Sequence, residues 1–427
     1  MNHSYRRASA LLVLLLLVTA TTLYAVEVDF STTGRMLLIE DDQQFSADGT
    51  ITLSHRFTQD QKITAQGLGT VSTEEDPNAF LTLFEYQGAF PLSENSGVIK
   101  LIAGRTEIVE LSGFLAPLTL DGFVVGFQRP GFIVQAVATT TVLLRPEESL
   151  VLTAADAIEA EDPDRFFGPS RFVSGLIFLL PETVGRLNLS LQYINQLDGR
   201  ALFGADPGDD LYTSHYLTMG VESPLGPDIF GSLQLIGNLG TVEVEGIGRS
   251  TFVGYGARGQ LRSYLPAAQR PTGQLSLYFA SGDGSSAAFP ELSGDVSTSF
   301  APGPYNVPWQ FTGIPFANIV AAELGGSLLP LSWANDAGLR RTRLAGDTTL
   351  LYRPFDEDMG VAGTDPTSDR GFYGVLLNAE FVFSPFVDLD VTAGGDIFLP
   401  SESTNGGLFL PGSERSWRMV VEGTLRY

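Results

Sequence analysis

The sequence predicts an all-β fold, a transmembrane antiparallel up-and-down β-barrel of about 18 strands, with about 16 as the fallback count. Three observations lead there. Polar and apolar residues alternate with period two through most of the chain after Ala25. Short turn-like links and long links follow one another in turn. Beyond the N-terminal segment, no stretch reaches the ~20 apolar residues that a membrane helix needs.

The N-terminal segment reads as a secretory leader rather than as part of the fold. Arg6 and Arg7 form a positive region, Leu11 to Val18 is an unbroken apolar run, and small residues follow at Ala20 and Ala25. Thr19, Thr21 and Thr22 weaken it as a membrane anchor. Cleavage after Ala25, rather than after Ala20, is expected, which leaves residues 26–427 as a single barrel domain.

Composition narrows the function classes. The chain carries a formal net charge of −24 and has no cysteine. A basic face for nucleic acid is absent, so nucleic acid is not an expected partner. An exported chain without cysteine gains its stability from hydrogen bonding and packing, not from disulfides.

The alternation is clearest in Gly185–Leu197, where Leu187, Leu189, Leu191 and Tyr193 oppose Arg186, Asn188, Ser190, Gln192 and Gln196. Gln274–Ala280, Ile229–Leu239, Thr251–Leu265 and Val387–Phe398 repeat it. A two-sheet sandwich would also alternate. The links discriminate. Thr58–Gln61, Pro91–Gly97, Gln128–Gly131, Pro181–Gly185, Pro224–Asp228, Pro266–Gly273 and Ser384–Phe386 are short and rich in turn residues. Between them run the longer segments 107–120, 142–169, 198–211, 241–250, 282–315, 354–370 and 399–415. Membrane barrels sort their links this way, short on one side and long on the other. A weaker hairpin is expected around 316–330 and 340–353, and Leu150–Ile158 could form a further strand that would change the count.

The chain ends in the amphipathic segment Trp417 to Tyr427, with Trp417, Met419, Val421, Leu425 and Tyr427 on one face. A final strand with a terminal aromatic resembles the C-terminal signal of bacterial outer-membrane barrels. That resemblance implies an outer-membrane location and recognition of Leu425 and Tyr427 by the barrel-assembly machinery. The glycine usual in that signal is displaced by one place, at Gly423. A second, looser resemblance rests on Gly104-Arg105 at a strand end, Asp121-Gly122 at a strand start and Ser281-Gly282-Asp283 at another strand end. These pieces look like the alginate-export and related porin-type barrels, and imply 18 strands and a route for polar solutes without implying alginate.

Motifs for catalysis are lacking. His55 and His215 sit on apolar strand faces without a serine or carboxylate partner in sequence, and there is no His-x-x-x-His or Gly-x-Ser-x-Gly. Acidic clusters at Glu40–Asp42, Glu74–Asp76, Glu159–Asp164, Asp206–Asp210 and Asp356–Asp358 lack the spaced calcium-loop pattern and read as solvated loops. No enzyme activity, metal or cofactor is implied.

The strand phase points a set of side chains into the lumen: Arg56, Lys100, Arg186, Gln192, Glu222, Gln234, Arg258, Gln260, Arg262, Gln274, Glu380, Asp388, Asp390, Arg418 and Glu422. Such a wall either pairs its charges with one another or uses them to select ions and orient solutes. Arg258 and Arg262, four apart on one strand, are the expected mid-barrel anion contacts. The expected function is a porin-like channel for small polar or charged solutes, with membrane lipid around it and homo-oligomers compatible with it. The rival expectations are an exporter of a polysaccharide-like substrate, plugged by 107–120 or 142–169, and an adhesin or structural barrel.

Overall fold

The computed structural model describes residues 26–39, 42–73, 78–92, 96–112, 118–141, 170–199, 211–244, 248–281, 308–309, 312, 314, 318–354, 361, 363–365, 370–402, 407–410 and 416–426. The expected leader at residues 1–25, Tyr427, the segment Leu150–Ile158 and most of the acidic clusters lie outside them.

Eighteen antiparallel strands form one sheet that closes on itself. They are β1 (Val26–Ile39), β2 (Asp42–Thr58), β3 (Gln61–Ser72), β4 (Asn78–Pro91), β5 (Val98–Ile108), β6 (Leu118–Arg129), β7 (Phe132–Thr140), β8 (Arg171–Val184), β9 (Leu187–Asp198), β10 (Leu211–Pro224), β11 (Ile229–Val244), β12 (Gly248–Tyr264), β13 (Thr272–Ala280), β14 (Ile319–Leu328), β15 (Arg343–Tyr352), β16 (Phe372–Phe383), β17 (Leu389–Pro400) and β18 (Ser416–Arg426). Each strand pairs with its neighbours in sequence, and β18 returns to β1 in the register Arg426 on Ser31 through Arg418 on Ile39. Closure satisfies the backbone groups that an open edge would expose to lipid, at several kcal/mol each.

The count is the expected one, and most links follow the expected order. The exceptions are 40–41 and 245–247, short at the end that otherwise carries the long links because β11 and β12 extend through most of 241–250, and 329–342, long at the end that otherwise carries tight turns. One end of the barrel carries tight connections such as Gln59–Asp60, Pro130–Gly131 and Gly185–Arg186, while the other carries the long segments. Gly131, at φ +76°, supplies the left-handed residue that its two-residue hairpin requires.

Outside and inside are inverted relative to a water-soluble protein. Leu191, Tyr193, Leu217, Leu235, Val253 and Leu277 are all 39–59% exposed and form an outward apolar belt. The buried apolar residues point into the lumen. One cluster, on β5 to β8, gathers Ile108, Leu120, Val124, Val137, Val173 and Ile177. The other joins Tyr216, Ile236, Tyr278, Leu351, Leu376 and Phe398 to Trp309 and Ile314 from the β13–β14 segment. The core of this fold therefore sits inside the cylinder, under segments that turn inward.

Gly104 and Arg105 show how one quoted motif works. Gly104 takes φ +120°, and a Cβ there would lie 2.1 Å from the carbonyl oxygen of Phe84, so only glycine fits. Arg105 then faces outward and grips Asp121 of β6 through Nε and Nη2, each at 3.1 Å. Its Nη1 donates to the carbonyl of Leu81 at 2.9 Å. The Gly-Arg and Asp-Gly pieces thus form a three-strand lock on β4, β5 and β6.

The lumen as candidate functional site

Among the described residues, three inward segments pack onto the wall, the last being Leu408–Phe409 of the β17–β18 link, set against Tyr373 and Phe398. The first is Val109–Ser112, which leaves the end of β5 and crosses to β9, β10 and β11. Gln192 of β9 holds it in both directions: Oε1 accepts from the Leu111 amide at 2.7 Å, and Nε2 donates to the Val109 carbonyl at 3.2 Å. Gln234 of β11 donates to the Leu111 carbonyl at 3.2 Å. Between them the Thr218 hydroxyl of β10 donates to Glu110 at 2.6 Å. Glu110 also accepts from the amide of Ser112 at 2.8 Å and from its hydroxyl. Glu110 is 4% exposed, and its carboxylate is satisfied by donors alone.

The second inward segment contains Trp309 and Ile314. Trp309 is fully buried and meets the Tyr278 ring edge-on at 5.4 Å between centroids. The Arg258 guanidinium lies 5.3 Å from the centroid of the same ring. Tyr278 donates to Glu323 at 2.8 Å, and Gln274 reaches the same carboxylate at 2.8 Å. Gln260 and Gln274 share the Ser276 hydroxyl, at 3.2 and 3.1 Å.

Together these segments cover the inward face of β9 to β16 toward the long-link end. Ser214, Tyr216, Thr218, Asn238, Leu351 and Leu376 are at most 2% exposed there. The opposite wall differs. Glu422, Thr424, Thr33, Arg35, Asp48 and Thr50 on β18, β1 and β2 keep partial contact with solvent. Arg35 and Glu422 are cross-strand neighbours, as are Thr33 and Asp48. The open part of the lumen is thus displaced toward β18, β1 and β2.

The positions singled out from sequence separate into groups. Gln192 and Gln234 line the lumen but serve as anchors of the first inward segment. Arg258, Gln260 and Gln274 belong to the wall around Tyr278. Arg418 holds Asp396 through Nε and Nη2 at 2.9 and 2.6 Å. Asp390 meets Arg426 at 3.1 Å. Glu380 pairs with Arg343. Arg56, Lys100, Glu222 and Arg262 face inward near the short-link end and are exposed. Two positions are not wall residues. Arg186 occupies the β8–β9 turn with φ +96°, and Asp388 lies in the β16–β17 turn, where its carbonyl accepts from the Arg426 amide at 2.8 Å. Alternation continued into a turn assigns a face where no strand exists. Leu425 faces outward on β18, opposite Leu389 and Thr32.

Sequence reasoning named 107–120 as a possible plug without singling out Glu110, and it missed Thr218 and Trp309. The signal was present as apolar and aromatic residues at inward positions. Tyr216, Ile236 and Tyr278 share the parity of Thr218, Gln234 and Gln274, and a water-filled wall has no use for them. His215 faces outward and hydrogen-bonds the Tyr193 hydroxyl through Nδ1 at 2.9 Å. His55 packs edge-on to Phe57 at 4.6 Å. Among the described residues, no group of three or more acidic or histidine side chains is arranged to hold a metal.

A closed antiparallel wall, an apolar exterior and a polar, partly filled interior define a transmembrane β-barrel with a lumen. Solved structures share this architecture. OccK2 (OpdF) of Pseudomonas aeruginosa in complex with glucuronate matches with a TM-score of 0.55 and 14% identity, over 95% of this chain and 99% of that one. OccK5 (OpdH) of the same organism gives 0.56 and 12%, and OpdL gives 0.54 and 13%, each over 95% of this chain and 99% of the other. These are likenesses of fold, and they are not to alginate-export barrels. No protein-family model and no curated protein sequence matches the chain.

Proposed function

We propose that this chain is an outer-membrane channel for the diffusion of small polar or charged solutes, with the short links in the periplasm and the long links outside. The observation that carries this reading is the uneven lumen. The inward segments cover β9 to β16, whereas the charged and hydroxylated wall of β18, β1 and β2 stays open to solvent. A route along that wall passes Arg35, Asp48 and Glu422 rather than Arg258. The fold neighbour holding glucuronate was solved with a solute of this size and polarity. Assembly through the C-terminal strand, with Leu425 and Tyr427 as recognition residues for the barrel-assembly machinery, belongs to the same proposal, as does association into homo-oligomers.

The buried Trp309 favours a second reading, a plugged barrel that opens only with a partner. Planar-bilayer recording of the purified, folded barrel separates the two. Stable ohmic steps support the channel, and a folded barrel that never conducts refutes it.

A further inference from the structure

The outer wall is not evenly filled. On the lipid side of β9 to β13, at the short-link end, lies a groove of about 400 Å³. Its cause is a pair of outward glycines placed diagonally on adjacent strands. In one row, Gly259 stands between Leu233 and Leu277. In the next row toward the short-link end, Gly231 stands beside Leu261. A Cβ on Gly259 would meet nothing within 4 Å, so the space above it is empty of protein. Leu225 forms the lower wall, with its Cδ1 2.8 Å from where a Gly231 Cβ would stand.

We propose that this groove binds one acyl chain of a glycerophospholipid from the periplasmic leaflet. The proposal rests on the membrane orientation given above. Its lining is hydrocarbon almost throughout, so no polar ligand would recover the water it gives up there. The groove lies within the outward belt, where the surrounding medium is lipid. Its depth matches one leaflet. Leu277, at the top, is five residues into β13. At ~3.3 Å per residue and a tilt of ~40°, that is roughly 13 Å, half of a ~25 Å belt. At its lower end Leu187 lines the groove, and Arg186 beside it in the β8–β9 turn is exposed at headgroup level, where a phosphate would meet it. A chain seated between Leu233 and Leu277 fills space that a packed belt would otherwise leave to transient contacts.

Native mass spectrometry of the barrel, purified from membranes in mild detergent, reads the retained phospholipid. The wild type is expected to carry one phospholipid per barrel, and Gly259→Leu about five-fold less or lower, because its side chain occupies the seat. Gly259→Ala is expected to fall between them, which keeps the test open if the leucine variant assembles poorly. Gly237→Leu is the control. It adds the same side chain on the lipid face of β11, also into open space, but outside the groove. Equal retention by wild type and both Gly259 variants overturns the proposal, as does a wild-type barrel that carries no phospholipid. Retention of lipopolysaccharide in its place, or of a second barrel copy lost in Gly259→Leu, also overturns it by giving the groove another occupant. Failure of the membrane reading itself would look different, as a chain absent from the outer-membrane fraction before any lipid is counted.

Discussion

The segment Val109–Ser112 is held in the lumen by few contacts, and its docking equilibrium can be moved by a known amount. Gln192→Leu removes two hydrogen bonds to its backbone, and Thr218→Val removes one to the Glu110 carboxylate. At a net ~1 kcal/mol each, the double variant weakens docking by about 3 kcal/mol, or roughly 150-fold in the docked-to-undocked ratio. The estimate is a lower one, because the bond to Glu110 involves a charged acceptor. The chain has no cysteine, so a single reporter can be placed without background. Ser112 is fully buried. Ser112→Cys is therefore expected to react slowly with a membrane-impermeant thiol reagent, through the undocked state. When docking and undocking are fast relative to labelling, the rate follows the undocked population. Adding Gln192→Leu and Thr218→Val should then speed labelling by about 150-fold, with added current noise or a larger conductance step. Unchanged labelling and unchanged current would mean that the segment is fixed by something other than these three hydrogen bonds, such as the Gln234 contact with the Leu111 carbonyl.

Other outcomes follow from the same structure. Arg35→Glu should shift the reversal potential of a salt gradient toward cations, and Arg258→Glu should shift it less, since Arg258 sits on Tyr278 against the Trp309 segment. Equal shifts would place the route on the β12 side. The Arg171–Asp198 pair, 3.4 Å apart and fully buried, anchors the start of β8 to the end of β9. Asp198→Ala should cost about 3–5 kcal/mol in urea unfolding from lipid vesicles, and a change below about 1 kcal/mol would show that the charge is re-solvated. Truncation at Ser416 removes the strand that pairs with both β17 and β1, so no folded barrel should reach the membrane, whereas normal surface levels would contradict closure. Epitope tags within 282–307 should be readable on whole cells and tags at Leu225–Asp228 should not, with the reverse result inverting the barrel.

Much of the wall was legible because a strand has only two faces. Once Leu189, Leu191 and Tyr193 are outward, Ser190 and Gln192 have to be inward, and register carries that parity around the sheet. Link lengths gave the strand count for a similar reason, since each hairpin needs its own turn chemistry. Parity does not say where a strand stops, which is why Arg186 and Asp388 were assigned to the wall and lie in turns. Nor does it say what stands in front of an inward side chain. Gln192 and Gln234 look like solvated lining by pattern, yet both are committed to the Val109–Ser112 backbone.

The same distinction decides which inward charges can act on a solute. An arginine at an inward position meets the pore only if no inward segment lies over it. Arg258 and Arg35 have the same parity argument in their favour, but their neighbours differ. Arg258 faces the aromatic packing of Tyr278 with Trp309, an arrangement that fixes the guanidinium in place. Arg35 has Glu422 and Ser46 as cross-strand partners, and both of those side chains remain in contact with solvent. The inward aromatics mark the boundary between the two situations. Tyr216, Ile236 and Tyr278 are stable at inward positions only because protein covers them, since apolar surface left facing a water-filled lumen would cost about 25 cal/mol per Å². Where the inward wall turns to threonine, serine and charge, over Glu422–Arg426 of β18, Ser31–Arg35 of β1 and Ser46–Ser54 of β2, no apolar side chain on that face requires a cover, and that stretch of wall is where a hydrated solute can pass.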